Sequence, residues 1–274
     1  MSWNRMWAVL CAMGVIFAGT FSWGDAATDA ARGLAGRLLP KAADRFRFET
    51  ILKDNFRDAY ELESDGGTVV VRGSSGVAMA SGLNQYLREY CHATVSFWGS
   101  QLDLPSPLPA LPAKVRVVTP FVYRYCLNYC CFSYSMAWWD WTDWERAIDW
   151  MALQGINMPL AVTGQESVWR ALGKELGLTD AELSAFFVGP AFLPFGWMGC
   201  MDGWGGPLST GWIDEHAALG KRILERERAF GMAPVLQGFT GHVPEGLRRL
   251  FPDAAFQKLP SWCEFPGTTF VDPR

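Results

Sequence analysis

The sequence predicts an α/β protein in two parts: a small N-terminal α/β domain and the first part of a (β/α)8 TIM-type barrel. After residue 120, apolar runs of strand length alternate with amphipathic helical segments, which is typical of a parallel sheet. Polar side chains follow these apolar runs, where parallel α/β folds hold their chemistry. A proline-rich segment, 103–112, cannot form a helix or a sheet ladder and separates the two parts.

Residues 1–24 have the features of a processing segment. Arg5 precedes an apolar run from Trp7 to Phe21, and small residues follow it. The run is shorter than the roughly 20 residues that a spanning helix needs. We therefore predict a signal peptide, with an uncleaved anchor as the alternative. The predicted destination is the secretory pathway.

The segment 25–119 is predicted to form the small N-terminal domain. Its pattern gives helices at 25–39 and 75–90 and strands at 45–51 and 68–72. Packing and support of the following domain is the simplest role for it.

The segment 120–274 is predicted to be a partial TIM-barrel domain. Thr142 and Glu145 have the spacing of a capping box, so a helix is predicted from Thr142 to Leu153, ended by Gly155. A buried strand at 156–162 follows. A complete barrel occupies about 250 residues, so this segment is too short and the barrel is predicted to be truncated.

The rest of this segment repeats the alternation. Thr179 and Glu182 form a second capping box. A long loop rich in Gly, Trp and Met is predicted at 189–212, a helix at 212–230, and a strand at 233–239. Only three or four barrel strands can be found in this way.

Composition limits the classes of partner. Lys and Arg number 24 against 28 Asp and Glu, for a net charge of −4, and no basic cluster occurs. We expect neither nucleic acid nor, after signal cleavage, a membrane as partner. Cys126, Cys130 and Cys131 lie close together, but no paired C-x-x-C or nearby His accompanies them, so neither a metal nor a cofactor is predicted. Disulfide pairing and association into a homo-oligomer are left open.

The segment 123–166 is unusually aromatic, with five of the 14 Trp residues. Trp and Tyr combine a flat apolar face with a polar edge, which suits a pocket that stacks a sugar ring and binds its hydroxyls. A Trp-rich core is the alternative, and aromatic density alone favours it.

Specific motifs shift that balance. They are Tyr123-Arg124-Tyr125, Asn128, Cys130, Ser133-Tyr134-Ser135, Trp138-Trp139-Asp140-Trp141, Trp144-Glu145-Arg146, Ile148-Asp149-Trp150-Met151-Ala152-Leu153, Gly164-Gln165-Glu166, Gly189-Pro190-Ala191-Phe192-Leu193 and Gly241-His242-Val243-Pro244-Glu245. Together they closely resemble the alpha-N-acetylglucosaminidases of glycoside hydrolase family 89. The resemblance covers nearly everything after the first two dozen residues.

The resemblance implies a set of substrate-binding residues: Asn128, Cys130, Gln165, Glu166, Phe195, Trp197, Trp204, His242 and Trp262. Asn128 and Cys130 match family positions that contact the terminal N-acetylglucosamine. Phe195 departs from the family, which often has Trp there, so an indole N–H is lost. Support of a neighbouring pocket residue, or capping of a helix, is an equal alternative for Glu166. His242 is more simply explained as a turn cap, and Trp262 could lie in the core or at the pocket rim.

The implied activity is that of an exo-glycosidase that removes terminal α-linked N-acetylglucosamine from heparan sulfate with retention. Retention needs two carboxyl groups about 5–5.5 Å apart. In the family pattern these two glutamates fall beyond Arg274, so no catalytic residue is assigned, and this chain alone is expected to be inactive.

Two other functions stay open at this stage. One is a secreted, non-catalytic carbohydrate-binding fragment or paralogue, which a partial pocket without the glutamates would permit. The other is a cysteine hydrolase using Cys130, which is disfavoured because the sequence fixes no His near it.

Overall fold

A computed structural model describes residues 23–260 and 263–272, with side chains described from residue 26 onward. Most of the predicted signal peptide, 1–22, and the predicted site residue Trp262 therefore lie outside the described residues. Within the described ranges, no helix is both long and apolar enough to cross a membrane.

The regular elements follow one another in mixed α/β order. The strands are β1 (Phe46–Thr50), β2 (Ala59–Asp65), β3 (Thr68–Gly73), β4 (Thr94–Val95), β5 (Ser100–Gln101), β6 (Val115–Val118), β7 (Tyr125–Cys126), β8 (Met158–Pro159), β9 (Phe256–Lys258) and β10 (Thr269–Val271). The α-helices are α1 (Trp23–Leu38), α2 (Gly76–Glu89), α3 (Tyr129–Cys131), α4 (Trp141–Leu153), α5 (Gln165–Leu176), α6 (Asp180–Phe186), α7 (Leu193–Trp197), α8 (Thr210–Ala229) and α9 (Leu247–Leu250).

The N-terminal part is a four-stranded sheet in the order β1-β3-β2-β6. β1 and β3 are parallel, and β2 runs antiparallel to both β3 and β6. The valines of β3 are buried, and α1 and α2 pack against the sheet. β2 and β6 were not predicted, because four of the seven residues of β2 are polar or charged and β6 has only four residues.

Helix α2 lies between this sheet and the barrel part. Ser75 is its N-cap, with a side chain that accepts a hydrogen bond from the backbone N–H of Ala78 at 3.1 Å. Most of α2 is buried, since it packs on both β3 and α4. The buried Asn84 amide donates to the carbonyl of Leu153 at 3.0 Å, so the two parts are joined by directional bonds as well as by apolar contact.

The barrel part begins as a parallel sheet, which confirms the predicted partial barrel. β7 pairs in parallel with β8, and Leu160 continues β8 into a parallel bridge with Val235. The backbone N–H of Ala161 donates to the carbonyl of Val235 at 2.9 Å. The predicted strands 156–162 and 233–239 are thus present but much shorter, because their ends turn into loops that carry polar groups.

The two predicted capping boxes had different outcomes. Thr179 and Glu182 cap α6 reciprocally, as predicted. The box at Thr142 was wrong: α4 begins at Trp141, and Asp140 caps it by accepting from the backbone N–H of Thr142 at 2.7 Å. Glu145 instead accepts from Arg226 on α8 at 2.7 Å, so a tertiary ion pair uses the carboxylate that the box would need.

The predicted long loop 189–212 contains regular structure. A 3-10 turn, Pro190–Phe192, leads directly into α7, and α8 starts at Thr210 with Ser209 as its cap. Beyond α9, β9 and β10 form an antiparallel hairpin, and His242 bridges to Phe270 of that hairpin. The loop and the hairpin both lie on the side of the barrel where the parallel strands end.

Candidate active site

Polar side chains follow three neighbouring strands at the point where those strands end. Asn128 follows β7, Gln165 and Glu166 follow β8, and Gln237 follows the strand segment at Val235. Barrel enzymes place their chemistry at this end. The structure brings the predicted residues Gln165, Glu166 and Trp197 together with Gln237, which was not predicted, and places Asn128 at the neighbouring exit of β7.

Asn128 and Cys130 lie at the exit of β7. Asn128 is exposed and caps α3, its side-chain oxygen accepting from the backbone N–H of Cys131 at 3.2 Å. Cys130 is half-buried, and α3, which carries it, packs against α7. All the described cysteines are free thiols.

Glu166 is buried beneath the mouth of the site. Gly164 caps α5 with φ of +86°, and a Cβ atom there would lie 2.5 Å from the carbonyl oxygen of His216, so the turn requires glycine. This turn directs Glu166, in the first turn of α5, into the protein, where it is 1% exposed. Burial raises its pKa to about 7, despite hydrogen bonds that lower it.

The indole of Trp197 forms a hydrogen bond with the carboxyl group of Glu166. Its Nε1–H donates to Glu166 Oε1, and Trp197 is itself only 3% exposed. The second carboxyl oxygen, Oε2, is buried and has no hydrogen-bond partner among the described residues. Both predicted site residues thus lie below the surface that a sugar would contact.

Gln165 and Gln237 connect Trp197 to the next barrel strand through hydrogen bonds. Gln165 Nε2 donates to Gln237 Oε1 at 3.2 Å, and Gln237 Nε2 donates to the carbonyl of Trp197 at 2.6 Å. Gln237 was missed because it falls inside the predicted strand 233–239. A polar residue within an otherwise apolar run was the signal that could have found it.

The aromatic rings beside Trp197 come from the exit of β7. Phe132 lies edge-on to Trp197 with ring centroids 5.5 Å apart, and Tyr129 lies at 6.5 Å. Trp197 therefore contacts the exits of all three paired barrel strands that the structure describes. Phe195, two residues earlier on α7, is half-buried.

Trp204 lies away from this cluster, whereas His242 borders a small interior cavity together with Glu166 and Trp197. Trp204 is 44% exposed, packs edge-on against Phe265, and lines a cleft of about 650 Å³ with Glu182, Glu245 and Lys258 among its walls. His242 is 8% exposed, and its Nε2 lies 2.7 Å from Asp202 Oδ1. Its ring packs among Trp169, Phe186 and Phe270, so it is an interior group in the described structure.

Comparisons with known proteins agree with this geometry. Residues 124–274 match the family model "Alpha-N-acetylglucosaminidase (NAGLU) tim-barrel domain", and residues 29–110 match the corresponding N-terminal domain. The chain is 48% identical over 268 residues to human alpha-N-acetylglucosaminidase, covering 94% of this chain and 36% of that protein.

Solved structures give the same result. A family 89 glycoside hydrolase from Clostridium perfringens, in complex with 2-acetamido-1,2-dideoxynojirmycin, is 35% identical with a TM-score of 0.89, over 93% of this chain and 29% of that one. A form of the Clostridium perfringens protein with two Glu-to-Gln substitutions, in complex with its substrate GlcNAc-alpha-1,4-galactose, is 36% identical with a TM-score of 0.87, over 90% and 28%.

The chain therefore spans about a third of the length of these relatives. The match to the barrel model extends over more than half of the chain, and the order of the domains is the same. This chain belongs to the alpha-N-acetylglucosaminidase family, glycoside hydrolase family 89.

Proposed function

We propose that this chain forms the N-terminal part of an exo-acting α-N-acetylglucosaminidase and supplies one wall of the pocket for the terminal sugar. The observation that carries the proposal is the 48% identity to the human enzyme over 94% of this chain. The bonded pair of Gln165 and Gln237 at the strand ends, with Asn128 at the exit of the neighbouring strand, supports it, since amides can both donate to and accept from sugar hydroxyls.

The proposed reaction is hydrolysis of a terminal α-linked N-acetylglucosamine with retention of configuration, with heparan sulfate fragments as the natural substrate. Two glutamates beyond Arg274 would act as nucleophile and as acid/base. The substrate complex of the Clostridium perfringens protein was obtained with two glutamates replaced, which supports a two-carboxylate mechanism in this family. Lysosomal or extracellular action, after removal of residues 1–24, completes the proposal.

Within this part of the molecule, Asn128, Cys130 and Phe195 are the proposed sugar contacts. Asn128 is exposed and Cys130 and Phe195 are half-buried, so all three present surface at the strand-exit end. Glu166 and Trp197 are proposed to support the pocket from below, because both are buried. Trp204 and Trp262 are kept as proposed contacts of the glycan, whereas His242, an interior group bound to Asp202, is proposed to support the fold beneath the pocket.

Turnover by the full-length gene product tests this function. We expect release of the chromophore from p-nitrophenyl α-N-acetylglucosaminide at acidic pH, and no release from the β-linked isomer as the matched control. Release of N-acetylglucosamine from heparan sulfate oligosaccharides, but not from those ending in another sugar, tests the substrate class. A folded full-length protein that leaves every α-linked substrate intact would rule the proposal out.

A second candidate is carbohydrate binding without hydrolysis by residues 25–274 alone. The burial of Glu166 favours it, since that carboxyl group is placed to support the pocket rather than to attack a glycosidic bond. Isothermal titration of this segment with N-acetylglucosamine, and with galactose as the control sugar, distinguishes binding from no function.

A further inference from the structure

Trp197 is held from three directions. Its indole N–H is bound by Glu166 on α5, and its carbonyl is bound by Gln237 at 2.6 Å, after the next strand. Its ring packs on Phe132 beyond β7. These contacts fix one short helix, α7, relative to the ends of all three described barrel strands.

The same helix carries Phe195. Successive α-helical residues are rotated by about 100°, so positions 195 and 197 point to nearly opposite sides of α7. Trp197 is buried and Phe195 is half-buried, as this geometry requires. A shift in the position of Trp197 is therefore expected to move Phe195 as well, because both lie on one helix of about one and a half turns.

The surroundings of Glu166 favour a role in holding Trp197, and with it α7, in place. It is 1% exposed, and the turn before it requires Gly164, so its side chain has little freedom to choose another partner. A buried acceptor that loses its donor suffers the full desolvation penalty. The bond between Glu166 and Trp197 is therefore one of the contacts that hold α7 in position.

We propose that Glu166 and Trp197 are a positioning pair that holds Phe195 at the mouth of the sugar pocket, with neither residue touching the sugar. This inference rests on the proposed function and deepens it. It assigns specificity for the terminal sugar to the placement of α7, and it gives the one carboxyl group at the end of β8 a role outside bond cleavage.

Four single substitutions in the full-length protein test the pair. Glu166→Leu and Trp197→Phe remove the acceptor and the donor, respectively. Glu166→Gln keeps a side-chain oxygen that can accept from the indole. Trp150→Phe is the matched control, because Trp150 is half-buried on α4 and packs on Phe97, away from the strand ends.

Steady-state kinetics with p-nitrophenyl α-N-acetylglucosaminide give the first readout. Loss of a hydrogen bond to a buried carboxyl group is expected to raise KM about tenfold in Glu166→Leu and Trp197→Phe. We expect kcat to change less than about threefold, because the loss affects binding of substrate and transition state alike. Glu166→Gln should restore a KM close to the wild-type value, and Trp150→Phe should not change it.

Two kinetic results would contradict the proposed positioning role of Glu166 and Trp197. Unchanged KM in folded Glu166→Leu would show that α7 is held by other contacts. A loss of kcat in Glu166→Gln as large as in Glu166→Leu would show that the carboxyl group itself takes part in the reaction.

A crystal structure of full-length Glu166→Leu gives a readout that does not depend on activity. If Glu166 and Trp197 position α7, the Phe195 ring should be displaced by about 1 Å or more in this variant, a shift large enough to impair a site. A Phe195 ring that keeps its position contradicts the inference. If the wild-type protein hydrolyses no substrate, the proposed function fails, while this comparison still decides whether the pair positions α7.

Discussion

Arg124, at the start of the first barrel strand, forms a buried ion pair with Asp58 of the N-terminal part. The guanidinium Nη2 donates to Asp58 Oδ2, and Nε donates to the carbonyl of Gly155 at 2.5 Å. Asp58 is 6% exposed and also accepts from the hydroxyl groups of Ser74 and Ser75 at 3.0 and 3.2 Å. The N-terminal part thus fixes the strand that leads to Asn128.

Arg124→Ala should destabilise the protein by about 1.5–3 kcal/mol, since the buried Asp58 carboxylate loses a charge-assisted hydrogen bond but keeps Lys53, at 3.5 Å, as a partner of opposite charge. Arg116→Ala is the control: Arg116 is exposed, and its ion pair with Glu61 is expected to contribute little to stability. Urea unfolding followed by circular dichroism measures both. Equal losses in the two variants would contradict the role given to the Arg124–Asp58 pair.

The pair also has a predicted acid dependence. Burial alone would raise the pKa of Asp58, but the Arg124 hydrogen bond and the charge of Lys53 outweigh burial and lower it. A lowered pKa contributes stability that is present above the ordinary pKa and lost as the pH falls through the lowered value. The Arg124→Ala defect should therefore shrink only in strong acid.

Helix α8 packs closely against the backbone that follows β8. A Cβ atom at Gly220 would lie 2.2 Å from the carbonyl oxygen of Thr163, which is backbone and cannot move aside cheaply. Gly220→Ala should cost about 1–3 kcal/mol by overpacking. Gly36→Ala on exposed α1 has open space around it and should be neutral or stabilise by up to about 1 kcal/mol. A thermal midpoint in Gly220→Ala as high as in Gly36→Ala would show that the helix adjusts freely.

The sequence was most informative where a local signal determines the structure. The reciprocal cap at Thr179 and the left-handed Gly155 after α4 could be predicted, because each depends on residues that are neighbours in the chain. The parallel strand order followed from the alternation of apolar runs and helices.

The tertiary contacts of the site could not be predicted in the same way. Asp140 rather than Thr142 caps α4, since Glu145 is drawn to Arg226, which lies on a helix 81 residues away in the chain. The bond from Trp197 to Glu166 and the place of Gln237 depend on how a loop of many residues folds back. No local pattern encodes that return.

A second carboxyl group is buried on α8, away from the strand ends. Glu227 is 0% exposed, and neither of its oxygens has a hydrogen-bond partner among the described residues. Burial raises its pKa to about 8, with the charge of Arg228 lowering it by less. Because the folded-state pKa is raised, its contribution to stability is present below the unfolded pKa and is lost as the pH rises through about 8.

Glu227→Gln should therefore flatten the fall in unfolding free energy between about pH 5 and 8 and stabilise the protein at the alkaline end. Glu225→Gln on the same helix is the matched control, because Glu225 is exposed. Denaturation at several pH values measures the slopes. Glu166, with a pKa of about 7, should leave part of the slope in both variants. Parallel slopes in wild type and Glu227→Gln would show that Glu227 has little effect.

Asn128 has two separable roles in the proposed pocket, helix capping and sugar binding. Asn128→Ser keeps a competent N-cap and removes the amide donor, whereas Asn128→Ala removes both. We expect Asn128→Ser to raise KM for an aryl α-N-acetylglucosaminide about tenfold through the lost hydrogen bond, with an unchanged melting temperature. Asn128→Ala should show the same KM defect and lose about 1 kcal/mol of stability. A wild-type KM in Asn128→Ser would remove Asn128 from the pocket.

The most direct test of the proposed activity is the anomeric form of the first product. Full-length protein at acidic pH is mixed with GlcNAc-α-1,4-galactose, and the released sugar is followed by proton NMR before it mutarotates. We expect α-N-acetylglucosamine to appear first, because two displacements at the anomeric carbon restore the original configuration. Release of the β-anomer first, or no release from a folded protein, would contradict it.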